Sequence, residues 1–477
     1  MTTAGNRAPP RVAVAHATSA RALVAWALTL ALPLGVFSAL STRLSHDAAM
    51  LLALMVGAAI HWVFRVVPDF VIGLLLLWLC VLLGLAPAGL AFSGFTSPVF
   101  LLVLGVFLLS ALLTESPWMA HWSDLLLRYT QGNTTARLGA VVLTAIILTL
   151  VLPSPLGRSA LLAPLLQPLA GARNPRFQTA VVFAMAQGNT LWSTAFLTGN
   201  PLNFVLLGML DVQAQQRFQW LSWLAAAAAF ALVVALGLAV LLACLLYRSG
   251  PKVPPGGQQP AMLAPLPPRE RQDAAVPVLY ALLFLVVLTR PYHQIELHLA
   301  VGALALMGHY LAPMSLQALR MRLDWPTLLF IATLAAWQPM LHHTGIDSWL
   351  ASYLPLLARL AHTSVVVNVI GVSVMVGLVR LVMPGAPAFI VLASSLLPLA
   401  PALGLSPWAL GFVLLSASEG FVLAHQHGVL SHLLSEAQSL GMSLDQRRLL
   451  LANFGAWVLR VLALALSIPW WQRLSLV

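Results

Sequence analysis

The sequence predicts an all-α polytopic membrane protein built as two inverted repeats, each with a re-entrant helical hairpin and a broken transmembrane helix. Three observations carry this expectation. The 477 residues are 60% hydrophobic and 8% charged, with a mean hydropathy of +0.92, whereas an average globular domain carries about 25% charged residues. Apolar runs of about 20 residues recur along the chain, the length of helix that crosses a hydrocarbon core about 30 Å thick. Two stretches broken by proline and glycine, beginning at Pro153 and Met383, stand 230 residues apart between apolar runs. Paired interruptions in two halves of a chain point to the midplane site of a transporter.

Composition excludes a soluble enzyme, a disordered chain and a nucleic-acid binder. The net charge of +11 comes from 24 Lys+Arg against 13 Asp+Glu. In a chain this apolar it is read as cationic loops on the cytoplasmic side of a bilayer. The two cysteines, Cys80 and Cys244, lie in apolar runs. They are too few for a disulfide framework or a thiolate metal site and are read as small buried hydrophobes. No metal and no resident cofactor are expected.

Residues 1–21, with Arg7, Arg11 and Arg21, are expected as a cytoplasmic N-terminal segment. The apolar run that follows, Ala22–Leu40, exceeds the core of about 7–15 residues of a cleaved signal peptide, so it is read as a retained first span. A first transmembrane repeat is expected over 22–247, with runs at 22–41, 48–64, 70–86, 98–113, 138–153, 154–170, 178–208 and 219–247. Residues 248–273, rich in Pro and Gly and carrying Arg248, Lys252, Arg269 and Arg271, form a cytoplasmic linker. A second repeat is expected over 274–477, with runs at 274–289, 295–312, 327–341, 363–383, 385–402, 406–424 and 449–470. The runs 98–113 and 327–341 hold only about 15 residues each and are read as arms of re-entrant hairpins. Their parent segments, SPVFLLVLGVFLLSALL from Ser97 and WPTLLFIATLAAWQPML from Trp325, stand 228 residues apart. The expected location is a bacterial inner membrane.

Few polar residues interrupt the apolar runs, and each is therefore informative. Leu152–Arg158 reads LPSPLGR, and Met383–Pro387 reads MPGAP. Proline removes a backbone donor and clashes with the preceding turn, and carbonyls freed inside lipid need protein or cavity partners. Arg158 lies five residues past Pro153, and Arg380 four before Pro384. Both are read as a cationic clamp for an anion, assisted by the positive N-terminal end of a half-helix; loop arginines that snorkel to the surface are the alternative. Leu197–Asn203, LTGNPLN, suits a polar cavity or a turn between ordinary spans, and Gln187, Asn189 and Thr190 precede it. In the second half stand Ser416, Ser418, Glu419, His425, Gln426 and His427. An intramembrane carboxylate with nearby histidines is a proton-relay candidate, with plain interhelical hydrogen bonding as the alternative. Glu115 and Asp124, near Trp118 and Trp122, are read as a surface turn at the membrane interface.

From about Phe92 onward these features resemble the divalent anion:sodium symporter family, the citrate, dicarboxylate and sulfate transporters. In that family each half holds a re-entrant hairpin, a helix broken at Ser-Asn-Thr, and a helix broken near a Thr-Pro-Pro-Asn-like stretch. FSGFTSPVFLLVLGVFLLSALL, from Phe92, resembles the first hairpin. Ser154-Pro155-Leu156 stands at the first Ser-Asn-Thr position with Pro164 ten residues on, and Asn200-Pro201-Leu202-Asn203 stands at the Pro-Pro-Asn position after Gly199. Pro384-Gly385-Ala386 occupies the second Ser-Asn-Thr position, and His425–Gly428 lies near the second Pro-containing break, with its register open. The family uses each motif asparagine to hold sodium and touch the substrate carboxylate. Here Pro155 and Gly385 replace both asparagines.

The resemblance implies a secondary transporter, not an enzyme, that moves a small di- or tricarboxylate or sulfate-like anion by an elevator motion within a homodimer. The substrate-binding candidates are Ser154, Arg158, Asn200, Pro201, Asn203, Gly385 and Arg380. The ion-coupling candidates are Ser154, Gly199, Glu419, His425 and His427. The coupling ion is open between sodium, a proton and none. The alternative is a transport-inactive membrane sensor or scaffold derived from such a transporter, because both sodium motifs are lost. An intramembrane enzyme finds no nucleophile motif such as G-x-S-x-G.

Overall fold

The computed structural model describes residues 19–64, 66–115, 134–152, 154–166, 174–246, 271–293, 295–352, 364–381 and 385–477, and among them there is no β-strand. The longer helices are α1 (Ser19–Leu40), α2 (His46–Phe64), α3 (Asp69–Leu82), α4 (Pro98–Glu115), α5 (Thr134–Val151), α6 (Pro155–Leu162), α7 (Pro175–Thr190), α8 (Pro201–Met209) and α9 (Trp220–Leu246). After the expected linker come α10 (Arg271–His293), α11 (Leu297–Leu311), α12 (Trp325–Ala335), α13 (Trp337–Thr344), α14 (Val365–Val379), α15 (Gly385–Leu396), α16 (Pro407–Ser418), α17 (Gly428–Ser439) and α18 (Gln446–Leu466). Helices suit a lipid medium, since a helix satisfies its backbone within one segment.

Helix α9 shows how the fold meets a bilayer. Phe230, Val234 and Leu238, spaced by four, are buried, while Leu232, Leu236 and Val240 on the opposite side are exposed. Both faces are apolar, as in a helix with protein on one side and hydrocarbon on the other. Among the described residues, three stretches are long and apolar enough to cross a membrane unaided: Leu23–Leu40, Trp220–Leu246 and Gln446–Arg473. Many of the other apolar helices are shorter because the chain is broken where a single span would otherwise run.

The core is built on two of these shorter helices. In α7, every residue from Phe177 to Thr190 is buried, and in α16 every residue from Trp408 to Ser418. An aromatic cluster joins α9 and α16: Trp408 stacks on Phe412 with centroids 4.9 Å apart, and Trp223 meets Trp408 edge-on at 5.5 Å. Polar bridges cross the same core. Gln187 on α7 donates to Asn453 on α18 at 3.1 Å, and Ser416 on α16 donates to Thr194 at 3.1 Å.

The order α4, α5, α6, α7, α8, α9 recurs as α12, α14, α15, α16, α17, α18. The starts of α4, α6, α8 and α9 precede those of α12, α15, α17 and α18 by 227, 230, 227 and 226 residues. The packing exchanges partners between the two sets, with α6 against α17 and α8 against α15.

Some elements differ from the sequence expectation. The run 178–208 is divided, α7 ending at Thr190 and α8 starting at Pro201. The run 327–341 is split at Ala336 into α12 and α13. The linker lies outside the described residues as far as 270, and a helix already runs from Arg271, because the apolar pattern propagates helix back into the polar end of the segment. Residues 1–18, Trp118, Trp122, Asp124, Pro153, Met383 and Pro384 also lie outside the described residues.

The two halves press together at Gly94, where a Cβ would sit 1.8 Å from the Ala332 carbonyl oxygen and 3.0 Å from the Ala336 nitrogen. Both obstacles are backbone, so Gly94→Ala has to push α12 away. Overpacking of this kind costs about 1–3 kcal/mol, and the variant is expected to melt several degrees below wild type in a detergent thermal unfolding assay.

Candidate functional site

The first break begins where α5 ends. Ser154 caps α6, its hydroxyl accepting from the Gly157 N–H at 3.1 Å, and Pro155 starts the helix, where its missing N–H costs nothing. One turn on, Arg158 is completely buried. Its guanidinium donates from Nε to Asn189 Oδ1 (2.5 Å), from Nη1 to the Gly199 (2.7 Å) and Leu152 carbonyls, and from Nη2 to the Asn189 carbonyl (3.0 Å). A guanidinium has five N–H donors, and four of these are given to protein oxygens.

The same break carries a second set of amide bonds. The Asn189 amide donates to the Pro155 carbonyl at 2.8 Å. Between Thr190 and Asn200 the chain leaves the helix, and the Asn203 amide nitrogen donates to the Ser193, Phe196 and Leu197 carbonyls at 2.8, 2.7 and 3.3 Å. Thr198 donates to the Leu150 carbonyl and accepts from the Trp220 indole. A Cβ on Gly199 would stand 2.6 Å from the Ser193 carbonyl oxygen, so the turn closes only around glycine. Asn200 caps α8 by accepting from the Leu202 N–H at 2.9 Å, with Pro201 in the first turn. Asn200 Nδ2 and Asn203 Oδ1 are buried with no partner among the described residues.

The second break repeats this plan with other side chains. Helix α16 ends at Ser418, and the chain turns from Glu419 to His427 before α17. His427 caps α17, its Nδ1 accepting from the Val429 N–H at 3.2 Å. Its backbone (φ −143°, ψ 126°) matches that of Asn200 (φ −152°, ψ 135°). His427 and Asn200 thus share one capping role, each directly before its half-helix, with Gln426 and Gly199 one residue earlier. The Gln426 side chain ties the turn, accepting from the Val422 and Leu423 N–H groups at 2.6 and 2.8 Å and donating to the Arg380 carbonyl at 3.2 Å.

Arg380, at the end of α14, donates from Nη2 to the Gln426 carbonyl at 2.6 Å and to the Gly420 carbonyl at 3.4 Å. Arg158 and Arg380 stand at non-equivalent positions, yet each places its guanidinium on the carbonyl just before the cap of the second half-helix. Gly385 makes room for this contact: a Cβ there would lie 3.0 Å from the Ser418 oxygen and 3.3 Å from the Arg380 guanidinium carbon. His427 Nε2 lies 3.5 Å from Glu419 Oε2. Because Nδ1 accepts a hydrogen bond, the proton of the neutral ring sits on Nε2, facing that carboxylate. The side chain of His425 lies outside the described residues; its backbone belongs to the short turn Ala424–Gln426.

The structure therefore gathers Ser154, Arg158, Gly199, Asn200, Pro201 and Asn203 around one break, and Arg380, Gly385, Glu419 and His427 around the other. Three further residues belong here. Asn189 and Gln426 supply the amides that hold the breaks. Arg460, on α18, is buried with Nη1 3.3 Å from the Ser416 carbonyl oxygen. A lone charge in the apolar run 449–470 is the signal that could have found Arg460, but no proline or glycine break marks its place.

Removal of the Arg158 side chain strands the carbonyls of Leu152, Asn189 and Gly199. Each orphaned buried group costs about 1–3 kcal/mol. Arg158→Ala is expected to lower the detergent melting temperature markedly, and Arg158→Lys to recover only part of it, because an ammonium cannot span four acceptors in a plane. A melting temperature unchanged by Arg158→Ala would refute this structural role.

The comparisons with known proteins agree with this architecture. A model of the citrate transporter family matches residues 59–417, a range that takes in the whole first break and ends at the last turn of α16. A membrane protein of Cupriavidus necator is 24% identical over 275 residues, which cover 56% of this chain and 53% of that protein. The chain thus aligns with about half the length of that relative. The family is one of transporters rather than enzymes, and its match together with the apolar helices makes this a multi-pass membrane protein. The chain belongs to the citrate transporter family, in keeping with the resemblance to the divalent anion:sodium symporters.

Proposed function

We propose that the protein is a secondary transporter of a small multivalent anion, a di- or tricarboxylate or a sulfate-like ion, and that the anion binds between the two breaks. One observation carries the reading. Among the described residues the buried charged side chains, histidine aside, are Arg158, Arg380, Arg460 and Glu419. Three guanidiniums against one carboxylate leave two positive charges inside an apolar protein. Isolated buried charge is expensive, and a divalent anion is the ligand that neutralises it. The positive ends of α8 and α17, which start at the two breaks, favour the same ligand, and Asn200 Nδ2 is a buried donor left for it.

The recurrent helix order and the exchanged packing of α6 with α17 and α8 with α15 support two repeats, 22–247 and 274–477, of inverted orientation. From the resemblance we take an inner-membrane homodimer that works by an elevator motion, with the N-terminus and the linker in the cytoplasm. The placement of the guanidiniums supports a proton as the coupling ion. Arg158 already donates to the oxygens of Leu152, Asn189 and Gly199, and its positive charge beside them disfavours a sodium ion at this break. Coupling then falls to a proton on Glu419 and His427, with no part for Ser154, whose hydroxyl is used as a cap.

Uptake of labelled citrate, succinate and sulfate into proteoliposomes tests the proposal. Uptake of at least one of them is expected to persist when sodium is replaced by choline and to respond to an imposed pH gradient. Strict dependence on sodium contradicts the coupling assignment, and absence of flux with all three contradicts the transport reading.

A further inference from the structure

Arg460 differs from the two arginines of the breaks. Arg158 and Arg380 hold carbonyls that left their helices. Arg460 projects from the middle of a long apolar stretch, Gln446–Arg473, and its side chain lies against Gly420, where the second break begins. It is 1% exposed, makes one hydrogen bond of 3.3 Å to the Ser416 carbonyl, and leaves Nη2 buried with no partner among the described residues. A charged donor buried in this way points to a missing acceptor.

The acceptor at hand is also underused. Glu419 is 6% exposed, and the only hydrogen bond of its carboxylate among the described residues is the long one, 3.5 Å, from His427 Nε2. Four positive or titratable groups on four elements interact with it electrostatically: Arg460 on α18, Arg380 at the end of α14, Arg158 on α6, and His427 at the cap of α17. Glu419 thus interacts electrostatically with Arg460, yet no ion pair closes between them.

We infer that Arg460 and His427, with Arg380 beside them, form an anion seat at the second break, in which Glu419 serves as a resident counter-ion and a carboxylate or sulfate group of the ligand takes its place. The inference rests on the transporter reading and deepens it, naming a binding residue outside both breaks and a carboxylate of the protein that competes with the ligand. When the ligand's negative group reaches Arg460 Nη2, it supplies the absent acceptor. It also relieves the need for Glu419 to screen the arginines, so Glu419 is freed to move or to take up a proton.

The two residues should then act in opposite directions, which a merely structural role does not predict. Binding of citrate, succinate and sulfate to the purified full-length protein in detergent is measured by calorimetry, for wild type, Arg460→Gln and Glu419→Gln, each first shown to be monodisperse. Arg460→Gln is expected to weaken binding about 10- to 100-fold, the range that a hydrogen bond to a charged group supports. Glu419→Gln is expected to tighten it, because the competitor is gone and the net positive charge has grown. Arg460→Lys, which keeps the charge, should fall between wild type and Arg460→Gln. Wild-type affinity in Arg460→Gln, or weaker binding in Glu419→Gln, overturns the seat while leaving the transporter reading intact. Failure of wild type to bind any of the three overturns both. Should Arg460→Gln not fold, Glu419→Gln alone decides.

Discussion

A carbonyl that leaves its helix inside a bilayer has no water to turn to, and the architecture of this protein follows from how that need is met. Broken helices place charge and polar atoms at membrane depth, which a binding site requires, but each break frees backbone acceptors. Here the donors come from arginine and amide side chains. Arg158 joins the end of α5, the last turn of α7 and the end of the first turn region in one plane of hydrogen bonds. Arg380 and the Gln426 amide do the same at the second break. A guanidinium suits the task better than an ammonium because its charge is delocalised and its donors diverge in a fixed fork.

Satisfying carbonyls with cations imports positive charge, and the second consequence is electrostatic. Glu419 is the one buried carboxylate among the described residues, and it interacts with all three buried arginines. It lowers the cost of holding them together without cancelling it. Two sets of groups therefore divide the work. Arg158, Gln426 and the Asn203 amide nitrogen give their hydrogen bonds to backbone carbonyls and hold the breaks together. Others keep hydrogen-bonding capacity to spare among the described residues: Asn200 Nδ2, Arg460 Nη2 and the Glu419 carboxylate. The unspent hydrogen bonds distinguish the second group, since burial and charge are common to both.

Particular residues show how far the sequence could be read. Arg158 and Arg380 stood out because each is a charge beside a proline in an apolar run, and both are buried at the breaks. Their direction was another matter. From the sequence both are a clamp for an anion; in the structure their guanidiniums donate to carbonyls 6 to 46 residues away. The Leu197–Asn203 interruption is visible from its Gly, Pro and Asn, but the break begins earlier, at Leu191, with no proline to mark it. Arg460 escaped notice because the helix around it is unbroken. The pairing of His427 with Asn200 could not be seen from residue identity, since an imidazole and an amide serve the same capping role through different atoms.

The sequence by itself determined the medium, the helical class and the places where helices must stop. Those properties are local: a run of apolar side chains sets the length of a span, and a proline removes its own donor wherever the chain later goes. The tertiary structure decided which donor meets which freed carbonyl, which residues of the two breaks correspond, and where the unneutralised charge collects. Each of these depends on the directions in which side chains leave helices distant in sequence, and hydrogen bonds are made only within a few tenths of an ångström of the right distance.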